Sequence, residues 1–322
     1  YFGVASGQEG QLFIQRNGSF SNSLQKAFIL DSIYEDVDAE FVDIDGDKDL
    51  DLYVVSGGYQ WDIGSKNYQD RIYINNGKGA FQQGIGIVPE EFENGSIVMS
   101  MDINGDQQMD LFVGGGASPG RYPYADQSKI FINRNGQLID ETKEWFKTIS
   151  TSFGIVKDAI SMDVNKDGKN DLIICGEWMP ITILINDGKQ LMDQTKEYGL
   201  DRSQGWWQSI SVGDLDGDGD EDLVVGNLGL NSKFKASEQE PVEVYAADFD
   251  GSKTMDAILC SYIMGESYPV VSRDRMLEQM TSLRKKFLRY ATYGRAKISD
   301  ILVAMSNSPP VQYRKHLLSY LW

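Results

Sequence analysis

Short runs of β-branched and aromatic residues recur along this chain in two alternating kinds. The first kind is Leu52-Tyr-Val-Val55, Leu111-Phe-Val113, Leu172-Ile-Ile174 and Leu223-Val-Val225. These near-continuous apolar runs read as strands buried on both faces. The second kind is Leu12-Phe-Ile-Gln-Arg-Asn17-Gly18, Ile72-Tyr-Ile-Asn-Asn76-Gly77, Ile130-Phe-Ile-Asn-Arg-Asn135-Gly136 and Ile183-Leu-Ile-Asn-Asp187-Gly188. A strand ending in Asn-Gly or Asp-Gly is a strong hairpin signal. The glycines of this phrase are spaced 59, 59 and 52 apart. Two interleaved phrases with one period predict a repeated four-stranded unit, the blade of an all-β propeller. With strands A to D in order, the Asn-Gly hairpin joins C to D.

The A–B junction is where the chemistry lies. A nine-residue acidic phrase precedes each run of the first kind, and the first four phrases begin 59, 61 and 51 residues apart. At positions 1, 3, 5, 7 and 9 the first carries Asp43, Asp45, Asp47, Asp49 and Asp51, and the second Asp102, Asn104, Asp106, Gln108 and Asp110. The third carries Asp163, Asn165, Asp167, Lys169 and Asp171, and the fourth Asp214, Asp216, Asp218, Asp220 and Asp222. A weaker fifth carries Asp248, Asp250, Ser252, Thr254 and Asp256. So many carboxylates repel one another unless a cation sits among them. Oxygen ligands at positions 1, 3, 5 and 9, with a main-chain carbonyl at 7, suit a hard ion of about seven-fold coordination such as Ca²⁺. Four to five ions are expected. The EF-hand opens with the same residues but needs Glu at position 12 and flanking helices. Position 12 here is Val54, Val113, Ile174 and Val225, each inside a strand run.

The fifth acidic phrase starts 34 residues after the fourth and breaks the period, whereas Gly251 follows Gly188 by 63. It is therefore expected at a C–D hairpin, between Val242 to Ala247 as strand C and Ala257 to Tyr262 as strand D. On this count residues 1–30 end one blade and four whole blades follow, fewer than a closed ring usually has. Further blades are then expected in a longer parent protein. From about Ser272 the pattern becomes helical. Met276, Leu277, Met280, Leu283, Phe287 and Leu288 fall on one amphipathic stripe, and shorter helices are expected at Ile298–Met305 and Tyr313–Tyr320, separated by Pro309-Pro310. The expected division is residues 1–272 as blades and 273–322 as a basic helical insertion docked on its own host.

Net charge sharpens this picture. The chain carries −18, which disfavours nucleic acid and anionic membranes as partners. Five divalent ions would bring −18 to about −8. Residues 273–322 carry ten Lys/Arg against three Asp/Glu. Cys175 and Cys260 lie in apolar strand runs of different repeats and read as buried free thiols. No apolar run is long enough to span a bilayer as a helix, and no signal peptide is visible.

The phrase D-x-[DN]-x-D followed by D-L-x-[VI]-x-G resembles the FG-GAP or VCBS repeat, the calcium-bearing blade of integrin α-chain propellers, and Phe153-Gly154 supplies its name-giving pair in one blade. Longer phrases, such as Gly176-Glu-Trp-Met-Pro-Ile181 and Gly226-Asn-Leu-Gly-Leu-Asn231, are similar to large bacterial VCBS proteins akin to cartilage acidic protein, often with an ASPIC/UnbV module. That resemblance implies an exported protein, often lipid-anchored at the surface of Gram-negative bacteria near polysaccharide uptake systems. The second and fifth loops depart from it, with Gln107 and Lys253 where the family's glycine at position 6 stands.

The rim opposite the acidic loops collects Tyr59, Trp61, Tyr122, Tyr124, Trp178, Trp206 and Trp207 in the B–C and D–A connections. Aromatic rings among polar residues suit stacking on sugars or protein loops; the alternative is packing between blades. The lone histidine, His316, lies in the basic tail, and no nucleophile–base set or zinc spacing is visible. The expected function is a non-catalytic, calcium-stabilised binding module outside the cell, for a glycan or a surface protein. The alternatives are a propeller enzyme acting on polysaccharide, as lyase or hydrolase, and a purely structural module of a surface assembly.

Overall fold

The computed structural model describes residues 1–229 and 231–305, and the backbone of 313–317. Antiparallel sheets dominate, and three of them repeat one plan. The first runs β3 (Asp36–Val42), β4 (Asp51–Ser56), β5 (Arg71–Asn75) and β6 (Phe81–Gln83). The second runs β7 (Gly95–Met101), β8 (Asp110–Gly115), β9 (Lys129–Asn133) and β10 (Leu138–Asp140). The third runs β11 (Ile155–Met162), β12 (Asp171–Met179), β13 (Thr182–Asn186) and β14 (Leu191–Asp193). In each, the acidic loop joins the first two strands and the Asn-Gly or Asp-Gly turn joins the last two. The second strands β4 and β8 are buried along their whole length, as their unbroken apolar runs require.

Two half-sheets complete this series. A hairpin of β1 (Leu12–Arg16) and β2 (Ser19–Ser23) precedes the first sheet. After the third, β15 (Gly205–Gly213) and β16 (Asp222–Asn227) form a pair, and the start of β15 also bonds to the end of β12. The leading strands β3, β7, β11 and β15 lie side by side. Each has a bulge at the same place, just before Asp38, Ile97, Asp158 and Ser209. A bulge re-aims a side chain, and two aspartates use it to reach the next sheet: Asp38 Oδ2 accepts the Val98 N–H at 2.9 Å and Asp158 Oδ2 the Ile210 N–H at 2.8 Å. Between the sheets lie apolar cores, with Val42, Ile44, Tyr53 and Val55 against Val98 and Leu111, and Met101, Ile103 and Phe112 against Val156, Leu172 and Ile174.

The last sheet corrects one expectation. The fifth acidic loop lies between β17 (Val242–Ala247) and β18 (Asp256–Ile263), but these strands do not extend β15–β16. They form a separate sheet in the order β19 (Glu266–Pro269), β18, β17 and β20 (Tyr313–Leu317). β17 is paired on both edges and so has none left to offer β16. The loop therefore joins neighbouring strands of a new sheet, as the other four do, and is not the hairpin that completes the fourth.

The region after Ser272 is helical but broken. Helix Arg273–Gln279 stops at Met280, whose φ of −111° and ψ of 78° leave the helical region; a 3-10 turn Thr281–Lys285 and helices Tyr290–Tyr293 and Ile298–Ala304 follow. Met276, Leu277, Met280, Leu283 and Phe287 are buried against Tyr245, Phe249, Ile258 and Cys260 of the β17–β18 hairpin. Leu288, placed on the same stripe by its spacing, is 74 % exposed because the turn ends before it. The helix expected at Tyr313–Tyr320 is instead strand β20 over Tyr313–Leu317, where pairing with β17 satisfies its backbone. The Pro309-Pro310 break, residues 318–320 and the side chain of His316 lie outside the described residues. Cys175 and Cys260 are buried thiols, and the Cys260 Sγ–H donates to the Ile258 carbonyl at 3.7 Å. No helix among the described residues is long and apolar enough to cross a membrane.

Leu283, fully buried, and Leu288 give a direct test of this packing. Leu283→Ala should cost about 2–5 kcal/mol in urea unfolding, and Leu288→Ala no more than about 0.5 kcal/mol.

Candidate metal centres

All five acidic loops fold alike, from one set of local hydrogen bonds. The carboxylate at position 1 gathers backbone amides from across the loop: Asp43 Oδ1 accepts Gly46 N–H at 2.8 Å and Oδ2 accepts Lys48 N–H at 3.1 Å. Asp102, Asp214 and Asp248 repeat both bonds, and Asp163 takes the amides of Asp167 and Gly168. Such bonds turn the backbone inward only if positions 4 and 6 adopt left-handed conformations. Position 4 is glycine in every loop but the third, which has Lys166 at φ 59°. Position 6 is Gly168 and Gly219 in the third and fourth loops but Lys48, Gln107 and Lys253 elsewhere, at φ 75°, 70° and 70°. Non-glycine residues seldom sit there; the first loop thus departs from the family glycine as well as the second and fifth, and all three keep the loop shape.

Position 9 anchors the loop in the sheet. Asp51 Oδ2 accepts the amide of position 2, Ile44, at 3.1 Å, while Oδ1 accepts the amide of Asn75 on the third strand at 2.9 Å. Asp110 does the same with Ile103 and Asn133, and Asp171 with Val164 and Asn186. Asp256 takes Phe249 N–H and the side-chain amide of Gln279. The four are buried. Burial raises their pKa values, Asp110 to about 6, against the pull of the backbone donors. The asparagines of the hairpin phrase have a second task that the sequence reading missed. Asn133 Nδ2–H donates to the Ile44 carbonyl of the preceding sheet's loop at 2.8 Å, and Asn186 Nδ2–H to that of Ile103 at 2.9 Å. The recurrent Asn after each Ile-x-Ile run was the available signal.

The loops have the donor set of a hard-cation site. Carboxylate oxygens of Asp43, Asp45 and Asp51 lie within 4.8 Å of one another, as do those of Asp214, Asp216 and Asp218 and those of Asp248, Asp250 and Asp256. In the first loop Asp49 Oδ1 is occluded yet has no hydrogen-bond donor. The pKa of Asp49 is raised, by desolvation first and then by repulsion from Asp47, Asp45 and Asp43. These residues fit a Ca²⁺ ion. The third loop is partly neutralised from within: Lys169 Nζ reaches Asp167 Oδ2 at 3.0 Å and lowers its pKa, and Lys166 pairs with Asp220 of the fourth loop.

The aromatic residues do not form one open face. Trp178 lies in β12 with no exposed surface, and its Nε1–H donates to Tyr122 Oη at 2.8 Å. Trp207 is buried, with Nε1–H on the Ser203 carbonyl. Neither offers a ring to a ligand, which corrects the expectation for both. Successive residues of β15 point to opposite sides, so Trp207 enters the core of the third and fourth sheets while Trp206 packs edge-on to Trp178 and Phe234. Val242 and Val244 of β17 join the latter cluster. Tyr122, Tyr124, Trp61 and Trp206 are partly buried, and Tyr59 is 68 % exposed.

A buried acid pair also escaped the sequence reading. Asp70 accepts Ser56 N–H and Tyr53 O–H, and its own N–H donates to Glu91 Oε1. Burial raises Asp70 to about 7 and Glu91 well above the usual carboxylate range. The nearby cations are engaged elsewhere, Arg71 with Asp36 and Lys129 with Glu93. A cleft of about 370 Å³ beside Glu91, Glu93, Asp126 and Lys129 holds no nucleophile–base pair.

Two measurements check these assignments. Asp110→Ala strips acceptors from two buried amides and should cost about 2–4 kcal/mol even in chelator. Because Asp70 binds its proton more tightly folded than unfolded, its contribution is present below about pH 4 and is lost as pH rises through about 7. Melting temperature in chelator should fall from pH 5 to pH 8, and Asp70→Asn should flatten that fall.

A search of curated proteins finds no match. Among solved structures, the V. cholerae biofilm matrix protein Bap1 is similar over 70% of this chain and 35% of that one, at 16% identity and a TM-score of 0.34. The chain thus spans about a third of that protein's length. Residues 163–225, from the third acidic loop through the strand after the fourth, match the FG-GAP-like repeat family.

Proposed function

We propose that this chain is a calcium-stabilised, non-catalytic interaction module that works outside the cell, with its repeated sheets as blades of a propeller. On this reading the sheets of residues 1–272 form the blades and the helices of 273–305 a basic insertion, while β20 belongs to the last sheet and not to the insertion as expected. The supporting observation is the loop geometry. Five loops share one fold, and three of them bring three carboxylates within 4.8 Å. Positions 1, 3, 5 and 9 with the carbonyl of position 7 would hold each ion, and the ion would supply positive charge that Lys169 gives only to Asp167 in the third loop and Arg134 only to Asp106 in the second. Each loop joins adjacent strands of one sheet, so binding favours the folded state by mass action without opening a groove. Export, to where millimolar Ca²⁺ fills weak sites, is part of the proposal and is what the resemblance of the longer phrases to bacterial VCBS proteins would imply. The partner class proposed is a glycan or a surface protein, with the exposed ring of Tyr59 available for stacking.

Chelator should lower the melting temperature by about 5 °C or more, and millimolar Ca²⁺ should restore it, since one site at a hundredfold excess over Kd adds about 2.7 kcal/mol. Asp43→Ala and Asp214→Ala should cost more of this gain than Asp248→Ala, whose loop has Ser252 in place of a carboxylate. A melt indifferent to chelator contradicts the proposal.

A further inference from the structure

The fifth acidic loop differs from the others in what it touches. In the three complete sheets the second oxygen of the position-9 carboxylate holds a third-strand amide, from Asn75, Asn133 or Asn186. In the last sheet β19 pairs only with Cys260–Ile263, too far along β18 to offer an amide to Asp256. A side chain takes that place. Gln279, the last residue of helix Arg273–Gln279, donates Nε2–H to Asp256 Oδ1 at 2.6 Å. Asp256 is buried, so the end of the helix compensates a carboxylate oxygen that a strand compensates elsewhere.

A second bond leaves the sheet altogether. Met255, at position 8, donates its N–H to the Gly120 carbonyl at 2.8 Å. Gly120 lies in the connection between β8 and β9 with φ 65°, and a Cβ there would lie 3.5 Å from Thr254 Cγ2. Among the described residues, the position-8 amides of the other loops, on Leu50, Met109, Asn170 and Glu221, make no such bond. The connection is tightly folded, with Ser118 N–H on the Tyr124 carbonyl, Arg121 N–H on that of Ser118 and a bridge between Ala117 and Ala125. The base of the last sheet is held against it by packing, through Val242 and Val244 with Ala117 and Trp178. The tip depends on polar bonds.

We infer that a cation in the fifth loop fastens three parts of the fold at once: the tip of the last sheet, the end of helix Arg273–Gln279 and the Ala117–Ala125 connection of the second sheet. This rests on the reading of the loops as Ca²⁺ sites, which makes the Thr254 carbonyl, at position 7, a ligand. That carbonyl and the Met255 N–H belong to one peptide group. A cation on the oxygen polarises the group and makes the N–H a stronger donor to Gly120. Gln279 fixes the orientation of the Asp256 carboxylate and is a positioning residue for the ion. Coupling is reciprocal, so the docked helix and connection raise the affinity of the loop by the factor with which the ion stabilises their docking. Ser252 and Thr254 bond each other through their hydroxyls at 2.7 Å where the first and fourth loops have carboxylates. The fifth loop therefore fills last, and the fastening responds to Ca²⁺ after the stronger loops are occupied.

Hydrogen–deuterium exchange read by mass spectrometry, in chelator and across a Ca²⁺ titration, tests this. Ca²⁺ should slow exchange at residues 117–125 and 273–279 by about fivefold or more, with a midpoint at higher Ca²⁺ than the slowing within the first four loops. Asp250→Ala removes a fifth-loop ligand and leaves Asp248 to shape the loop. It should abolish the slowing at both segments and keep it in the first four loops. Gln279→Leu should raise the midpoint at residues 117–125 by about fivefold. Slowing in the first four loops with none at the two segments overturns the inference and leaves the Ca²⁺ reading standing. So does slowing at both segments that persists in Asp250→Ala, and so does a midpoint unmoved by Gln279→Leu. Exchange indifferent to Ca²⁺ in every loop overturns the inference together with the reading beneath it.

Discussion

A buried aspartate at the end of four of the five acidic loops is the constraint on which the repeats depend. Asp51, Asp110 and Asp171 each hold two backbone amides, one from their own loop and one from the third strand of the sheet. One side chain thereby fixes where the loop turns, where the second strand begins and how the third strand registers against it. The buried carboxylate needs compensation. The two amides supply part of it, and a cation held by the exposed end of the same loop would supply the rest.

The sheets are joined through the same loops. The hairpin asparagines reach back to the loop carbonyl of the preceding sheet, and the bulged Asp38 and Asp158 reach forward to the next leading strand. Loop shape, strand register and sheet stacking are thus one connected system.

Much of this was legible in the residues. The loops, the second strands and the Asn-Gly hairpins repeat with one period, because each depends on local chemistry written within nine or ten residues. What failed was decided at longer range. The fifth loop has the same local code, yet its sheet was assigned by which edges β17 shares, and β20 supplies one of them from some 65 residues away. Trp178 and Trp207 look like surface aromatics, but both sit in strands that carry them into cores, Trp207 by alternation along β15 and Trp178 at a bulge where its φ is 62°. Leu288 follows the helical spacing of its neighbours and is exposed because the helix ends at Met280. The Asp70–Glu91 pair has no motif, since it arises from two loops that meet only in the fold.

The most direct test of the central claim is anomalous diffraction from crystals soaked with Tb³⁺ as a Ca²⁺ surrogate. Peaks should lie inside the acidic loops, within coordination distance of the position-1 and position-5 oxygens, strongest in the first and fourth loops and weakest in the fifth. Crystals that diffract well but show no peak in any of the five loops would contradict it.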